Sequence, residues 1–225
     1  MSSDGGGGHE RGSAGEPGGV EGSAGPVDAI VETVRALPWL RAFALGLAAF
    51  VVAFAVVGGM AYLETAVFVD GDGDGADSAA PAGDDNRLEL VGFIFYDAQY
   101  VGSEIGEHRI PMFEQFTADA TIPPIVWRLV PVAVLLATSW LLARRHVGGV
   151  SERAGVHPVL AGVAIGVTLT AGYLVATVIG TELITIASQE IIQTRAILVM
   201  GLAYPIVLGA VGGGVAGYIE SRADR

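Results

Sequence analysis

The sequence has no cysteine and no lysine; all twelve of its basic residues are arginine. Without a thiol, disulfides, thiolate metal centres and cysteine nucleophiles are excluded. Asp and Glu number 24, for a net charge of −12, and no basic stripe exists to neutralise phosphates, so nucleic acid is not expected as a partner. Histidine occurs only at His9, His108, His146 and His157. These positions form no HExxH spacing and join no Ser–His–Asp set with a recognisable elbow, so no catalytic residues, cofactor or metal site are assigned and the chain is not expected to be an enzyme. The long apolar stretches also lack interior charge, the usual mark of an ion or proton pathway.

Apolar residues make up 52% of the chain and are collected into blocks. Each block approaches the ~20 residues that cross ~30 Å of hydrocarbon as helix. Four spans are predicted, at 42–63, 125–142, 159–179 and 196–219. Trp39 marks the boundary of the first, and Trp127 and Trp140 anchor the two ends of the second. The first block is too long for the apolar part of a signal peptide, and the 1–26 tail lacks a basic region followed directly by a short apolar stretch. The fold class expected is an all-α integral membrane protein, a four-helix bundle with a small extracellular cap and a disordered N-terminal tail.

Between these blocks the composition shifts. Residues 1–26 are Gly-, Ser-, Ala-, Pro- and Glu-rich and offer nothing to offset the entropy of ordering, so a disordered tail is predicted. Residues 27–41 place Val27, Ile30, Val31, Val34 and Leu37 at helical spacing, predicting an amphipathic helix at the membrane surface. The loop at 64–123 holds 13 of the 24 acidic residues and only Arg87 and Arg109 among the basic ones. A polar cytoplasmic connection is expected at 144–158 and an extracellular turn at 180–195, where Leu183, Ile184, Ile186, Ile191 and Ile192, interrupted by Glu182, Gln189 and Glu190, would extend the helix past the bilayer first; a short tail follows at 220–225. Arginine sits mainly on the side that bears both termini, which makes that side cytoplasmic and the acidic loop extracellular. A lysine-free, acid-rich composition resembles that of extreme halophiles such as haloarchaea; a GC-rich genome would also favour arginine codons.

Several constellations carry weaker signals. Asp70, Asp72, Asp74 and Gly75 match the opening of an EF-hand loop, but its closing glutamate position holds Pro81, so 70–85 is predicted to be a flexible acidic linker. Ser103–His108 groups two carboxylates and an imidazole without metal-ligand spacing and is predicted to be a surface turn. Arg128 and Glu182 fall at the outer rim, where they could pair. With Thr168, Thr170 and Thr177 on the third span they form the candidate polar path. Gly162 and Gly166, and Gly209, Gly213 and Gly217, recur every four residues and mark faces for close helix packing, within the bundle or between copies. Pro205 should kink the fourth span, freeing a carbonyl near Gly201.

The stretch LELVGFIFYDAQYVGSEIG, 88–106, is aromatic yet follows an Asp/Gly-rich tract. It is too short to span a bilayer and is apolar nearly all round. It must therefore be buried as the core of an ordered cap at 86–123, or serve as that cap's docking face. Phe93, Phe95, Tyr96, Asp97, Gln99 and Tyr100 are its candidate interaction residues. The run Gly92–Val101, GFIFYDAQYV, also resembles the tract G-[W/F]-x-F-Y-N-A-H-F-V in the first extracellular loop of an uncharacterised family of haloarchaeal four-span membrane proteins, sometimes labelled transporters. The resemblance in architecture covers roughly 30–220 and implies a fold and a lineage, with no established activity. The chain departs from it at Asp97 and Gln99, where the family form has Asn and His, so a metal or proton role for that His does not carry over.

These observations lead to a multi-pass cell-membrane protein with both termini cytoplasmic. It is expected to be a structural or interaction subunit, docking on a protein partner or a second copy through the aromatic cap and glycine faces. The alternative is a small oligomeric transporter or channel for a cation or small solute.

Overall fold

The computed structural model describes residues 26–69, 87–105, 108–118, 120–184 and 189–223. The acidic linker expected at 70–85 lies outside the described residues, as does the N-terminal tail except for Pro26. Helix dominates: α1 (Pro26–Ala36), α2 (Trp39–Val69), α3 (Arg87–Ala98), α4 (Met112–Thr117), α5 (Pro124–Ala154), α6 (Pro158–Val167), α7 (Leu169–Leu183), a short α8 (Gln193–Arg195), a π-helical stretch (Ala196–Ala203) and α9 (Tyr204–Ala223). Among the described residues four segments are long and apolar enough to cross a membrane: Trp39–Glu64, Pro124–Ala154, Pro158–Leu183 and Gln193–Ala223.

Proline and glycine set many of the boundaries. Pro38 disfavours helix at Leu37, so the surface helix expected over 27–41 ends at Ala36 and α2 begins at Trp39. The Trp39 indole then ties the corner, donating to the Val34 carbonyl at 2.9 Å. The polar turn expected at 144–158 is mostly helix. Gly148 and Gly149 follow Arg144 and Arg145 without stopping α5, which runs to Ala154 and is capped by Gly155 at φ 61°.

The third span is two helices. At Thr168 the turn tightens: its N–H donates to the Ile165 carbonyl at 3.2 Å and its hydroxyl to the same carbonyl at 2.6 Å. The kink expected at Pro205 takes the form of the preceding π-helical stretch, closed by the Tyr204 N–H bonding five residues back to the Val199 carbonyl. The wider turn accommodates a ring that would otherwise crowd the Gly201 carbonyl.

Three short strands join the cap to the far half of the chain. β1 (Ser103–Ile105) lies between β2 (His108–Ile110) and β3 (Gln189–Ile191), antiparallel to both, with Ser103 opposite Ile110 on one side and Ile191 on the other. Ser103–Ile105 and His108, expected in a surface turn, thus lie on paired strands, and 180–195, where the helix is expected to run on before a turn, contributes β3 as well as the last residues of α7.

Two cores fill the bundle. At the cap end Phe50, Ala53 and Val57 of α2 pack with Phe93–Tyr96, Phe113, Trp127, Tyr173 and Met200. At the opposite end Leu37, Leu142, Val147, Ala161, Ile165 and Ala216 form an aliphatic core. The break at Thr168 lets span three change partners: α6 packs chiefly on α9 and α5, whereas α7 packs chiefly on α2.

Candidate functional site

The junction between cap and bundle gathers most of the buried polar groups. α3 lies over α2 and α7, and Phe93, Ile94, Phe95 and Tyr96 have no exposed surface. Phe50 stands at the centre of their aromatic cluster, edge-on to Phe95 at 5.3 Å, Tyr96 at 6.3 Å and Tyr173 at 5.5 Å between ring centroids. Such pairs add ~0.5–1.5 kcal/mol each beyond their buried area. The aromatic tract is therefore the cap's core, and those four side chains are not an exposed docking face. Tyr100 alone among the expected interaction residues is outward, at 52% exposure.

Hydrogen bonds lock this layer. The Tyr96 hydroxyl donates to the Thr177 carbonyl at 2.7 Å, and the Tyr173 hydroxyl donates to Gln99 Oε1 at 3.2 Å. Gln99 Nε2 turns back to the Phe95 carbonyl at 3.4 Å. Asp97 Oδ2 accepts the Phe113 N–H at 2.8 Å, holding α4 beneath α3. Burial first, and the neighbouring Tyr173 phenol second, push the Tyr96 phenol well above its ordinary range, so it is a neutral donor at physiological pH. Gly180 leaves room for this contact, because a Cβ there would collide with the Tyr96 hydroxyl. Asp97 and Gln99 are thus buried positioning groups.

Glu64 is a site residue that sequence reasoning missed. It ends the first apolar block and looks like a boundary charge, yet it is buried. Its two carboxylate oxygens accept the Thr121 and Ile122 N–H groups at 3.0 and 2.6 Å, tying the last third of α2 to the segment leading into α5. Charge-assisted bonds to backbone donors are about twice as strong as neutral ones. Glu64→Ala is expected to destabilise by ~2–4 kcal/mol, measured as a lowered thermal midpoint in detergent, because two amides lose their acceptor together.

Arg128 and Glu182 do not pair. The Arg128 guanidinium lies 4.5 Å from the Tyr100 ring centroid and 4.9 Å from that of Phe113, and donates to the Tyr100 hydroxyl at 3.0 Å. Tyr100 meets it from a left-handed backbone at φ 63°, uncommon for a bulky residue. Glu182 instead accepts from Gln193 Nε2 at 2.9 Å. The threonines of the candidate path turn inward on their own helix: Thr168 to Ile165 O, Thr177 to Tyr173 O at 2.9 Å. The Thr170 hydroxyl is buried with no hydrogen-bond partner among the described residues. Among those residues no three His, Asp or Glu side chains gather to hold a metal ion.

The glycine faces meet each other. A Cβ on Gly162 would strike the Gly213 carbonyl oxygen, one on Gly166 that of Gly209, and one on Gly217 that of Pro158. The α6–α9 seam therefore brings backbone against backbone, and these glycines are not free to receive a partner helix. A second seam was not anticipated. Gly172 abuts the Phe43 carbonyl, and a Cβ on Gly46 would come within 2.8 Å of the Tyr173 amide nitrogen. Gly46 in α2 and Gly172 in α7 have no second glycine four residues away, so no four-residue repeat marks this seam.

Residues 31–220 match DUF7978, described as a family of unknown function, and the chain belongs to that family. No curated protein matches the chain, and no solved structure does.

Proposed function

We propose that this member of DUF7978 is a structural subunit of a cell-membrane assembly, with both termini cytoplasmic and the cap outside. The observation that carries the reading is the locked cap–bundle junction, where Tyr96, Gln99 and Tyr173 fasten an aromatic layer across the top of the spans. A rigid, internally satisfied core suits a scaffold more than a conduit. With the aromatic tract and the glycine seams used internally, the surface left for a protein partner is the outer side of the cap around Tyr100. The arginine distribution supports the orientation, and the acidic balance supports a high-salt setting.

The alternative, an oligomeric transporter or channel for a cation or small solute, draws on Thr170, whose buried hydroxyl has no hydrogen-bond partner among the described residues. Mild-detergent purification from native membranes in high salt, followed by intact-complex mass measurement, separates the two. A different protein at fixed stoichiometry, released by Tyr100→Glu while the subunit stays folded, is the expected result. A homo-oligomer that carries ion flux in liposomes would sink the scaffold reading.

A further inference from the structure

A groove of about 320 Å³ opens on the outside of the bundle between α2 and α7, beneath the start of α3. That is within the ~300–1,000 Å³ typical of small-molecule sites. Its floor and walls are Leu47, Phe50 and Phe54 of α2 and Ala176, Ile179 and Leu183 of α7. All belong to segments long and apolar enough to cross a membrane. Its mouth faces outward, since Val51 is 61% and Leu183 72% exposed. The groove descends from the cap end along about two helical turns of each wall, ~10–12 Å at 1.5 Å per residue.

One polar group closes its upper end. Glu89, in the first turn of α3, lines the groove, and its Oε2 is buried with no hydrogen-bond partner among the described residues. A buried carboxylate oxygen without a donor is costly, and the walls offer none. We propose that the groove is a lipid site. It holds one hydrocarbon chain of a bilayer lipid along α2 and α7, and the headgroup donates a hydrogen bond to Glu89 Oε2. The headgroup carries hydroxyl or ammonium donors and no net negative charge, because an anionic head would meet the carboxylate with like charge. The vertical order supports this occupant: a polar acceptor at the cap end and an unbroken apolar wall below it match an amphiphile standing upright in a bilayer. The inference rests on the four helices lying in a membrane and is independent of any protein partner.

The test uses the full chain in liposomes containing a diazirine-bearing monoacylglycerol, with cross-links mapped by peptide mass spectrometry. Labelling is expected to concentrate on 47–54 and 176–184, above the outward face of α9 at Val207 and Val211. The same chain on a fatty acid, with its anionic head, should label the groove less. Glu89→Leu should lower groove labelling about tenfold, the equivalent of one charge-assisted hydrogen bond, and leave Val207 and Val211 unchanged. Val51→Trp, at an exposed position that does not threaten folding, should cover the mouth and abolish groove labelling. Equal labelling of the groove and the α9 face, or indifference to both variants, would mean ordinary annular lipid and overturn the proposal. So would protection of the groove by a cross-linked second copy or protein helix. No labelling on any span would instead overturn the bilayer placement beneath it.

Discussion

Gly166→Leu is expected to prevent the bundle from closing. The Cβ alone would lie inside the Gly209 carbonyl, and the nearest atoms it meets are all backbone, with no flexible side chain to give way. Overpacking of a tight core costs ~1–3 kcal/mol and occasionally more. Here α6 and α9 must separate along a seam shared by Gly162, Gly213 and Gly217, so the loss should reach or exceed the top of that range. The measurement is the yield of monodisperse protein in detergent and its thermal midpoint by tryptophan fluorescence. Gly59→Leu supplies the comparison, since a Cβ at Gly59 meets nothing within 4 Å. That variant should unfold at or slightly above the parent midpoint, because leucine is the better helix former. Equal behaviour of the two variants would show that close backbone approach does not hold these helices together.

Phe95→Asp is expected to release the cap while leaving the spans inserted. The ring has no exposed surface and sits edge-on to Phe50 at 5.3 Å and Phe54 at 5.4 Å. Truncating a buried Phe costs ~3–5 kcal/mol, and a carboxylate left there without a partner adds a desolvation penalty. Hydrogen exchange should show the α3 amides losing protection, with α5 and α9 retaining theirs. Phe95→Leu, which keeps an apolar side chain, should lose only part of that protection. If the α3 amides of Phe95→Asp exchange as slowly as the parent's, the aromatic layer is not what fastens the cap.

What was legible in the sequence follows from which interactions are periodic. The four apolar blocks report themselves through length, because hydrocarbon thickness sets a minimum. The four-residue glycine repeats of α6 and α9 signal close packing, because a helix returns to the same face at that spacing. The burial of Phe93–Tyr96 was one of two readings the residues allowed; whether such a stretch faces inward or toward a partner depends on α2 and α7, which its own pattern does not mention. Glu64 was illegible for the same reason. A carboxylate at a block's end signals a boundary until Thr121 and Ile122 are known to turn their amides toward it. The β3 strand depends on β1 in a distant segment, and the split at Thr168 rests on one tightened turn that leaves the apolar pattern around it unbroken.

The cap's position in the chain bears on how the molecule is made. Its residues are synthesised between the first and second spans, yet Gln99 bonds a residue 74 positions later and Tyr96 one 81 positions later. β1 waits longer still, for β3 at Gln189–Ile191. Chains emerge at ~5–20 residues per second, so the aromatic tract spends several seconds with half its walls unmade. During that interval it is a length of apolar chain with no native site. The insertion of α7 is the event that gives it one, which makes the third span the step on which the cap's maturation, and its exposure to misassembly, depends.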